Sequence, residues 1–472
     1  MKSVGAAGSV LSEPAASFVS CNRVETDVIF LRSSLSHPSL WLLPLLFLVR
    51  AASAGDEPAA VLDPNASDPP PLAAGAPLSL DEAVRLSLVD QPVLTGREAQ
   101  IGAEEQQAIA LRQLPDPKLS GGLKELPIDT GEAFSVRRDS FTEFTVGLSQ
   151  DFPRADKRRL KGERKQLEAE VDRAALDNDE RAVRRDTSLS WLDVYESEQG
   201  LKLTQRLADE ASLQVRSLEK DYGNGKASQA DWFAARVDAG LVEDRAHDWL
   251  HRSLRMRAGL ARWIGDSAQR PLSESPALPA VPNVLPDLIA RVDHHPVIGG
   301  LDKQIEAATT DVALARQAYK PDFSVEGYFA YRQDFADFVG VQVSIDLPYF
   351  TKNRQDRGLA AALEQSNASE ARKRDLLRQM HAQVNQDYLD HQHFDQRVAD
   401  FDSSIIPDAQ RRVEAARSAY EAGRGSFDAV LLARRSQLDA QLQRLALAVE
   451  SARAQIRLNY LTAAKTTSGE AP

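Results

Sequence analysis

The sequence predicts a mainly α-helical chain with a small transmembrane β part. It reads as a duplicated helix–β-hairpin–helix unit. Its four strands per chain complete a barrel of twelve, continued by a long α-helical barrel, only when three copies assemble. Three observations predict this: an internal duplication, proline-free helical segments of unusual length, and two pairs of short alternating strands.

The duplication is visible in four ordered correspondences. Leu80-Asp81-Glu82-Ala83-Val84-Arg85 running to Gln91-Pro92-Val93-Leu94 matches Leu285-Pro286-Asp287-Leu288-Ile289-Ala290-Arg291 running to His295-Pro296-Val297-Ile298. Pro115-Asp116 matches Pro321-Asp322, and Ser149-Gln150-Asp151-Phe152-Pro153 matches Ser344-Ile345-Asp346-Leu347-Pro348. Tyr222-x-x-Gly225-x-x-Ser228 matches Tyr420-x-x-Gly423-x-x-Ser426. The offsets are 204, 206, 195 and 198 residues, near enough to constant to mark one unit written twice. Repeat one spans 79–264, a Pro-rich linker 265–283, and repeat two 284–466.

Each repeat orders as helix, strand pair, long helix, tip, helix. Ser79 followed by Glu82 predicts a capping-box start, with one helix running to about Leu114. Segments from about Lys157 to Asp221 and from Ser228 to Ile264 follow. Repeat two gives about Leu285–Tyr319, Lys352–Ala422 with an interruption at Pro407, and Ser426–Ala464. The two shorter helices of each repeat sum to about the length of the long one, so they can stack end to end beside it. Leu438, Leu442, Leu445, Val449, Ala452 and Ile456 form a heptad seam on the last helix. Ala174, Ala182, Ala208 and Ala211 permit close helix approach. On helices alone, an ordinary bundle or coiled-coil scaffold fits equally well.

The strand pairs, expected at about 117–127 with 141–152 and 322–333 with 338–347, decide the class. Phe323, Val325, Gly327, Phe329 and Tyr331 alternate with polar or small residues, as do Val339, Val341, Val343, Ile345 and Leu347. Phe144, Val146 and Leu148 do the same in repeat one, beside a weaker strand at Leu119, Gly121 and Leu123. Nine phenylalanines fall in these two hairpin regions: Phe134, Phe141, Phe144, Phe152, Phe323, Phe329, Phe335, Phe338 and Phe350. Such rings on short alternating strands fit the aromatic girdles of a membrane barrel. Two hairpins packed on a soluble core are the alternative. The expected lipid-facing residues are Val146, Leu148, Val325, Phe329, Val341, Val343 and Ile345. Four strands cannot close a barrel, and open edges are not viable in lipid, so the chain must oligomerise; a trimer gives twelve strands, an even count.

Composition sets the remaining bounds. The net charge of −12 argues against a nucleic-acid partner. A single cysteine excludes a disulfide framework within the chain and a cysteine-clustered metal site. No run of eighteen apolar residues exists to form a membrane helix. The run Leu40–Val49, preceded by Lys2, Arg23 and Arg32 and followed by Ala52-Ser53-Ala54, reads as a cleaved export signal over 1–54. A Pro-rich extension, 55–78, and a disordered tail, 467–472, flank the repeats.

With the duplicated order, the Leu80-Asp81-Glu82-Ala83-Val84 opening and the twin Tyr-x-x-Gly-x-x-Ser tips in place, the chain resembles the TolC-like outer-membrane factors, the outer membrane efflux protein family. The resemblance covers about 79–464. Leu114-Pro115-Asp116-Pro117-Lys118-Leu119, Leu126-Pro127 and Gln150-Asp151-Phe152-Pro153 look most like its heavy-metal efflux branch. The resemblance implies a homotrimer in the bacterial outer membrane, with its helical part in the periplasm. It implies a passive exit channel with no enzymatic activity and no cofactor, fed by an inner-membrane pump through a periplasmic adaptor, with heavy-metal cations as cargo. A drug-efflux or type I protein-secretion duct is the alternative of the same architecture; a periplasmic coiled-coil scaffold without a pore is the alternative of another class. It also implies that the tips meet the adaptor and close the pore. The candidates are Tyr222, Gly225, Asp231, Tyr420, Gly423, Arg424 and Asp428. Arg424 and Asp428 each stand one place off the family's usual basic and acidic positions, and Leu432 replaces its next acid. Asp231 and Asp428 also fit as simple N-terminal helix carboxylates.

Other signals are weak. His247 with His251, and His391 with His393, are spaced for metal binding but have no third ligand, which favours solvated surface histidines and no metal site. Gly225-Lys226 lacks the earlier glycine of a phosphate loop, since Lys220 stands there. The basic run Arg154, Lys157, Arg158, Arg159, Lys161, Arg164 and Lys165 suits lipid head groups at the barrel rim and a plain solvated face equally. No catalytic constellation is recognisable.

Overall fold

A computed structural model of the chain describes residues 76–129, 131, 133–278 and 284–463. The expected export signal, most of the Pro-rich extension and the tail lie outside the described residues. Repeat one contains α1 (Leu80–Ser87), α2 (Pro92–Arg112), β1 (Lys118–Lys124), β2 (Glu143–Phe152), α3 (Ala155–Gly223) and α4 (Gln229–Ile264). Repeat two contains α5 (Leu285–Val292), α6 (Pro296–Gln317), β3 (Phe323–Tyr331), β4 (Phe338–Ile345), α7 (Gln355–Asp400), α8 (Ile406–Glu421) and α9 (Phe427–Thr462).

The first helix of each repeat is broken in two, where the sequence predicts one helix. The residue before a proline is pushed out of the helical region. Gln91 (ψ 113) and His295 (ψ 139) are extended, and Pro92 and Pro296 open the next helix at positions that need no N–H. Ser79 caps α1 by accepting from the Glu82 N–H at 3.2 Å, but the Glu82 carboxylate turns to Arg270. The capping box predicted there is therefore half made.

α3 runs unbroken for 69 residues, on the order of 100 Å at roughly 1.5 Å per residue. Its counterpart is interrupted, as Pro407 predicts. Phe401–Ile405 winds as a π-helical turn between α7 and α8, accommodating a residue that cannot donate within the helix.

The helices form a layer of four columns. α2 and α4 both pack along one side of α3, with α1 at their junction; α6 and α9 pack along its other side; α7 packs beyond them on α6 and α9. End-to-end stacking of the shorter helices beside the long one is thus observed. Burial follows position. The inner α3 and α9 carry many buried residues, the outer α7 carries four and α8 none. Glycine sets the closest approaches. A Cβ at Gly162 would strike the Ala108 carbonyl of α2, one at Gly200 the Trp249 ring of α4, and one at Gly300 would meet Ala174 at 3.2 Å. Of the predicted alanine seam, Ala211 is buried and Ala174, Ala182 and Ala208 are half-buried.

The α9 seam is buried except at Leu442, which is half-buried. A second stripe, Leu447, Ala454, Leu458 and Leu461, is buried too, so α9 packs on two sides. Leu445, Val449, Ala452 and Ile456 join a core with Leu78, Trp191, Leu192, Leu260 and Ala268. Leu458 and Leu461 join another with Leu288, Val292, Met380 and Val384. The predicted linker is woven into the first core: Leu272 pairs with Leu78 as a parallel bridge. Buried Arg257 ties it down through the carbonyls of Ala268 (2.5 Å) and Arg270 (2.9 Å) and an ion pair with Glu198.

His295 is buried at the α5–α6 break. Its Nδ1 accepts from the Val297 N–H at 3.4 Å and its ring meets Tyr460 edge-on at 5.3 Å. Burial, with the Arg181 charge nearby, lowers its pKa from 6.5 to about 4. The unfolded chain therefore binds the proton more readily. Stability tied to neutral His295 is present above pH 6.5 and is lost as pH falls through about 4. Melting curves at stepped pH should show this loss and His295→Gln should flatten it; an unchanged slope would remove His295 as the cause.

Candidate functional site

Two regions carry the candidate residues: the four-stranded sheet at one end of the helices and the twin tips where α3 meets α4 and α8 meets α9.

The sheet is an antiparallel meander in the order β1-β2-β3-β4. Its register aligns the apolar residues into rows. Val146 faces Phe329, which faces Val339; Leu148 and Val341 flank Gly327; Val325 faces Val343; Phe323 faces Ile345. Val146, Leu148, Phe329, Val341, Val343 and Ile345 are exposed, with Val341 at 73% and Val339 at 81%. Val325 is half-buried beside Gln150, the one polar residue in that row. An exposed apolar face across four strands has no counterpart in a water-facing sheet.

Aromatic rings bound this face at both ends. Phe144 and Tyr331 pair near the hairpin loops, where Phe141 and Phe335 are also exposed. At the helical end Phe152 stacks on Phe323 at 5.1 Å, and Tyr349 and Phe350 are 81% exposed. Eight residues separate Phe323 from Tyr331, about 26 Å of strand, close to the apolar height of a membrane barrel. The opposite face is polar. Lys118 pairs with Asp151 at 2.7 Å, Ser120 donates to Glu326 at 3.4 Å, and Lys124 lies over the Tyr328 ring at 5.1 Å. Gly340 has no Cβ because the Tyr328 ring lies across it. Among the described residues β1 pairs only with β2 and β4 only with β3, so both edges are open.

The two tips share one construction. Each long helix ends in a glycine with positive φ, Gly225 at 71° and Gly423 at 67°. Gly225 N–H donates to the Tyr222 carbonyl (2.9 Å) and Lys226 N–H to the Asp221 carbonyl (2.8 Å). Gly423 and Arg424 repeat this with Tyr420 (2.8 Å) and Ala419 (2.9 Å). Ser228 and Ser426 then cap the returning helices. Asp231 completes a capping box: its Oδ2 accepts from the Ser228 hydroxyl at 2.6 Å and the Ser228 N–H at 3.3 Å. At Asp428 no such box forms, because the third helical residue is Ala429; Asp428 and Arg424 are exposed.

The tips are bound to each other. Phe427, 1% exposed, packs with Leu218 and Ala235 of the first tip, and Tyr420 packs on this cluster with its ring 5.5 Å from Phe427. Burial and the carboxylates of Asp231 and Asp221 raise the Tyr420 pKa, so the phenol is neutral and faces the acidic first tip. Tyr222 instead stacks on Trp232 at 5.9 Å and stays exposed. Sequence reasoning brought Tyr420 to the tip but missed Phe427, whose only signal is an apolar residue directly after an N-cap serine.

Two expectations are corrected. His391 is not a solvated surface residue: it is half-buried between α7 and α9, with Nδ1 2.9 Å from the Ser451 hydroxyl; His247, His251 and His393 are exposed. The basic run is not a plain solvated face either. Lys157 pairs with Asp322 at 2.5 Å, Arg164 with Asp311 at 2.6 Å, and Lys165 with Glu104 and Glu168. These cations lie within reach of carboxylates on neighbouring elements that one helix's sequence does not show.

Residues 293–464 match the sequence profile of the family described as Outer membrane efflux protein. The chain is 22% identical over 382 residues to the cobalt-zinc-cadmium resistance protein CzcC of Cupriavidus metallidurans, covering 79% of this chain and 87% of that protein. A membrane protein from Pseudomonas aeruginosa superposes with a TM-score of 0.70 at 16% identity, over 81% of this chain and 92% of the other. CusC superposes with a TM-score of 0.69 at 16% identity, over 83% and 95%. The second repeat thus matches the outer membrane efflux protein family in sequence, and the described chain shares the fold of CusC.

Proposed function

We propose that the protein is the outer-membrane exit duct of a tripartite efflux system, conducting heavy-metal cations passively outward. The observation that carries this reading is the sheet: one apolar face bounded by aromatic rings, one polar face, and two open edges. Open edges are untenable in lipid, and three copies supply twelve strands to close the barrel. The same threefold closure joins the helical layer, whose outer column is the sparsely buried α7–α8. The helices then form a periplasmic tube whose tips meet an adaptor that an inner-membrane pump loads. No catalytic step is needed.

The cargo follows from the likeness to the cobalt-zinc-cadmium resistance protein. A strain lacking the gene should become sensitive to cobalt, zinc or cadmium and recover with the gene restored. Unchanged metal tolerance together with new drug sensitivity would overturn the metal cargo and leave the duct. A soluble periplasmic protein, absent from the outer membrane, would overturn the duct.

The tips act as the gate in this reading. Tyr420 and Phe427 clamp the second tip to the first, and exposed Asp428 places three carboxylates around the axis. In planar bilayers Tyr420→Ala should raise the single-channel current, and Asp428→Ala should lower cation preference. Asp231→Ala should cost about 1 kcal/mol of cap stability without changing selectivity. Unchanged currents for both Tyr420→Ala and Asp428→Ala would place the gate elsewhere.

A further inference from the structure

The arginines at the foot of the sheet are left unexplained by the duct. Arg112, the last residue of α2, lies across Gly162 of α3, where any Cβ would strike its side chain. Its guanidinium donates to the Gln166 side chain at 2.8 Å. Arg158 donates to the Arg112 carbonyl at 2.8 Å and to the Pro153 carbonyl at 3.3 Å. Both cations therefore bond only neutral acceptors among the described residues, whereas Lys157, Arg164 and Lys165 beside them hold carboxylates. The two arginines line an open cleft of about 570 Å³ with Arg159, Glu163 and Gln166. Arg159 is paired with Glu163 at 2.8 Å, so that carboxylate is already engaged.

The position of this cleft says what it meets. Arg158 is bonded to Pro153, the residue after Phe152, so it sits one turn beyond the stacked Phe152–Phe323 rings that end the apolar face. Along α3, Lys157 turns to Asp322, which precedes Phe323 and so falls on the polar side of the strand. Arg159 and Gln166 lie on the opposite side of the helix from Lys157, away from the Asp322 carboxylate. From the sheet toward the helices come aliphatic residues, the Phe152–Phe323 rings, then the Arg158 and Arg112 guanidiniums. That is the stratification of acyl chains, interface and headgroup phosphate.

We propose that Arg112 and Arg158 form a binding site for the phosphate of an acidic glycerophospholipid at the periplasmic rim of the barrel. Two guanidiniums held by neutral acceptors keep donors free for a phosphodiester, and the adjoining rings take the acyl chains. The site rests on the outer-membrane reading but makes a separate claim. The test uses the full-length protein, purified in detergent and titrated with phosphatidylglycerol, with diacylglycerol of the same chains, and with glycerol 3-phosphate.

Phosphatidylglycerol should raise the thermal midpoint saturably, and neither of the others should. Arg112→Glu should weaken the phosphatidylglycerol response by about tenfold. It places a carboxylate beside Arg158 and so preserves the local fold, which the unliganded midpoint reports. An equal response in Arg112→Glu, or an equal rise with glycerol 3-phosphate alone, would overturn the lipid site while leaving the duct standing. Failure of the wild-type protein to reach the outer membrane would overturn the reading on which both depend.

Discussion

Val341→Arg is expected to keep the protein out of the outer membrane. Val341 lies in β4 opposite Gly327, in the middle of the exposed apolar face between the Phe323 and Tyr331 ends. An arginine at the midplane of a membrane barrel costs about 2–4 kcal/mol. In the proposed trimer that cost would fall three times on one barrel. Gln342→Arg, the neighbouring residue on the polar face, should insert normally because it leaves the apolar face unchanged. Density-gradient fractionation of the two variants checks the pair. If Val341→Arg sediments with the outer membrane as the wild type does, the apolar face is not the lipid face.

Trp191→Ala should unfold the region where the two repeats join. Trp191 is fully buried, stacks on Tyr195 at 5.4 Å, and donates from its indole N–H to the Leu78 carbonyl at 3.2 Å. Around it meet residues of α1, α3, α4, α9 and the linker. Deleting a buried Trp side chain costs about 3–5 kcal/mol, and the stranded Leu78 carbonyl adds about 1–3 kcal/mol. The thermal midpoint should fall by roughly 10 °C or more. Trp191→Phe keeps the packing but not the indole bond and should fall between the two. A midpoint unchanged in Trp191→Ala would mean that this cluster is not where the helical layer is held.

Much of the architecture was legible because its signals are periodic. Strand alternation set the faces of β3 and β4 within two residues of their observed ends, since a one-residue slip would invert every side chain. The tips were legible because a helix turning back needs positive φ, and Gly225 and Gly423 provide it. The breaks before Pro92 and Pro296 were missed because the apolar pattern continues across them. The proline acts on the backbone of the residue before it, not on the hydrophobic period.

By itself, then, the sequence determined the duplicated order, the two-faced strands and the helix-reversing glycines. Each of these is written in spacing along the chain. Only the tertiary structure decided which charges are spent and which are free. It paired Lys157, Arg164 and Lys165 with carboxylates far away in the chain and left Arg112 and Arg158 on neutral acceptors. It left Asp428 exposed and buried Phe427 between the tips. Those outcomes depend on which residues distant in the chain come together. That is a property of packed helices, which no helix's own period contains.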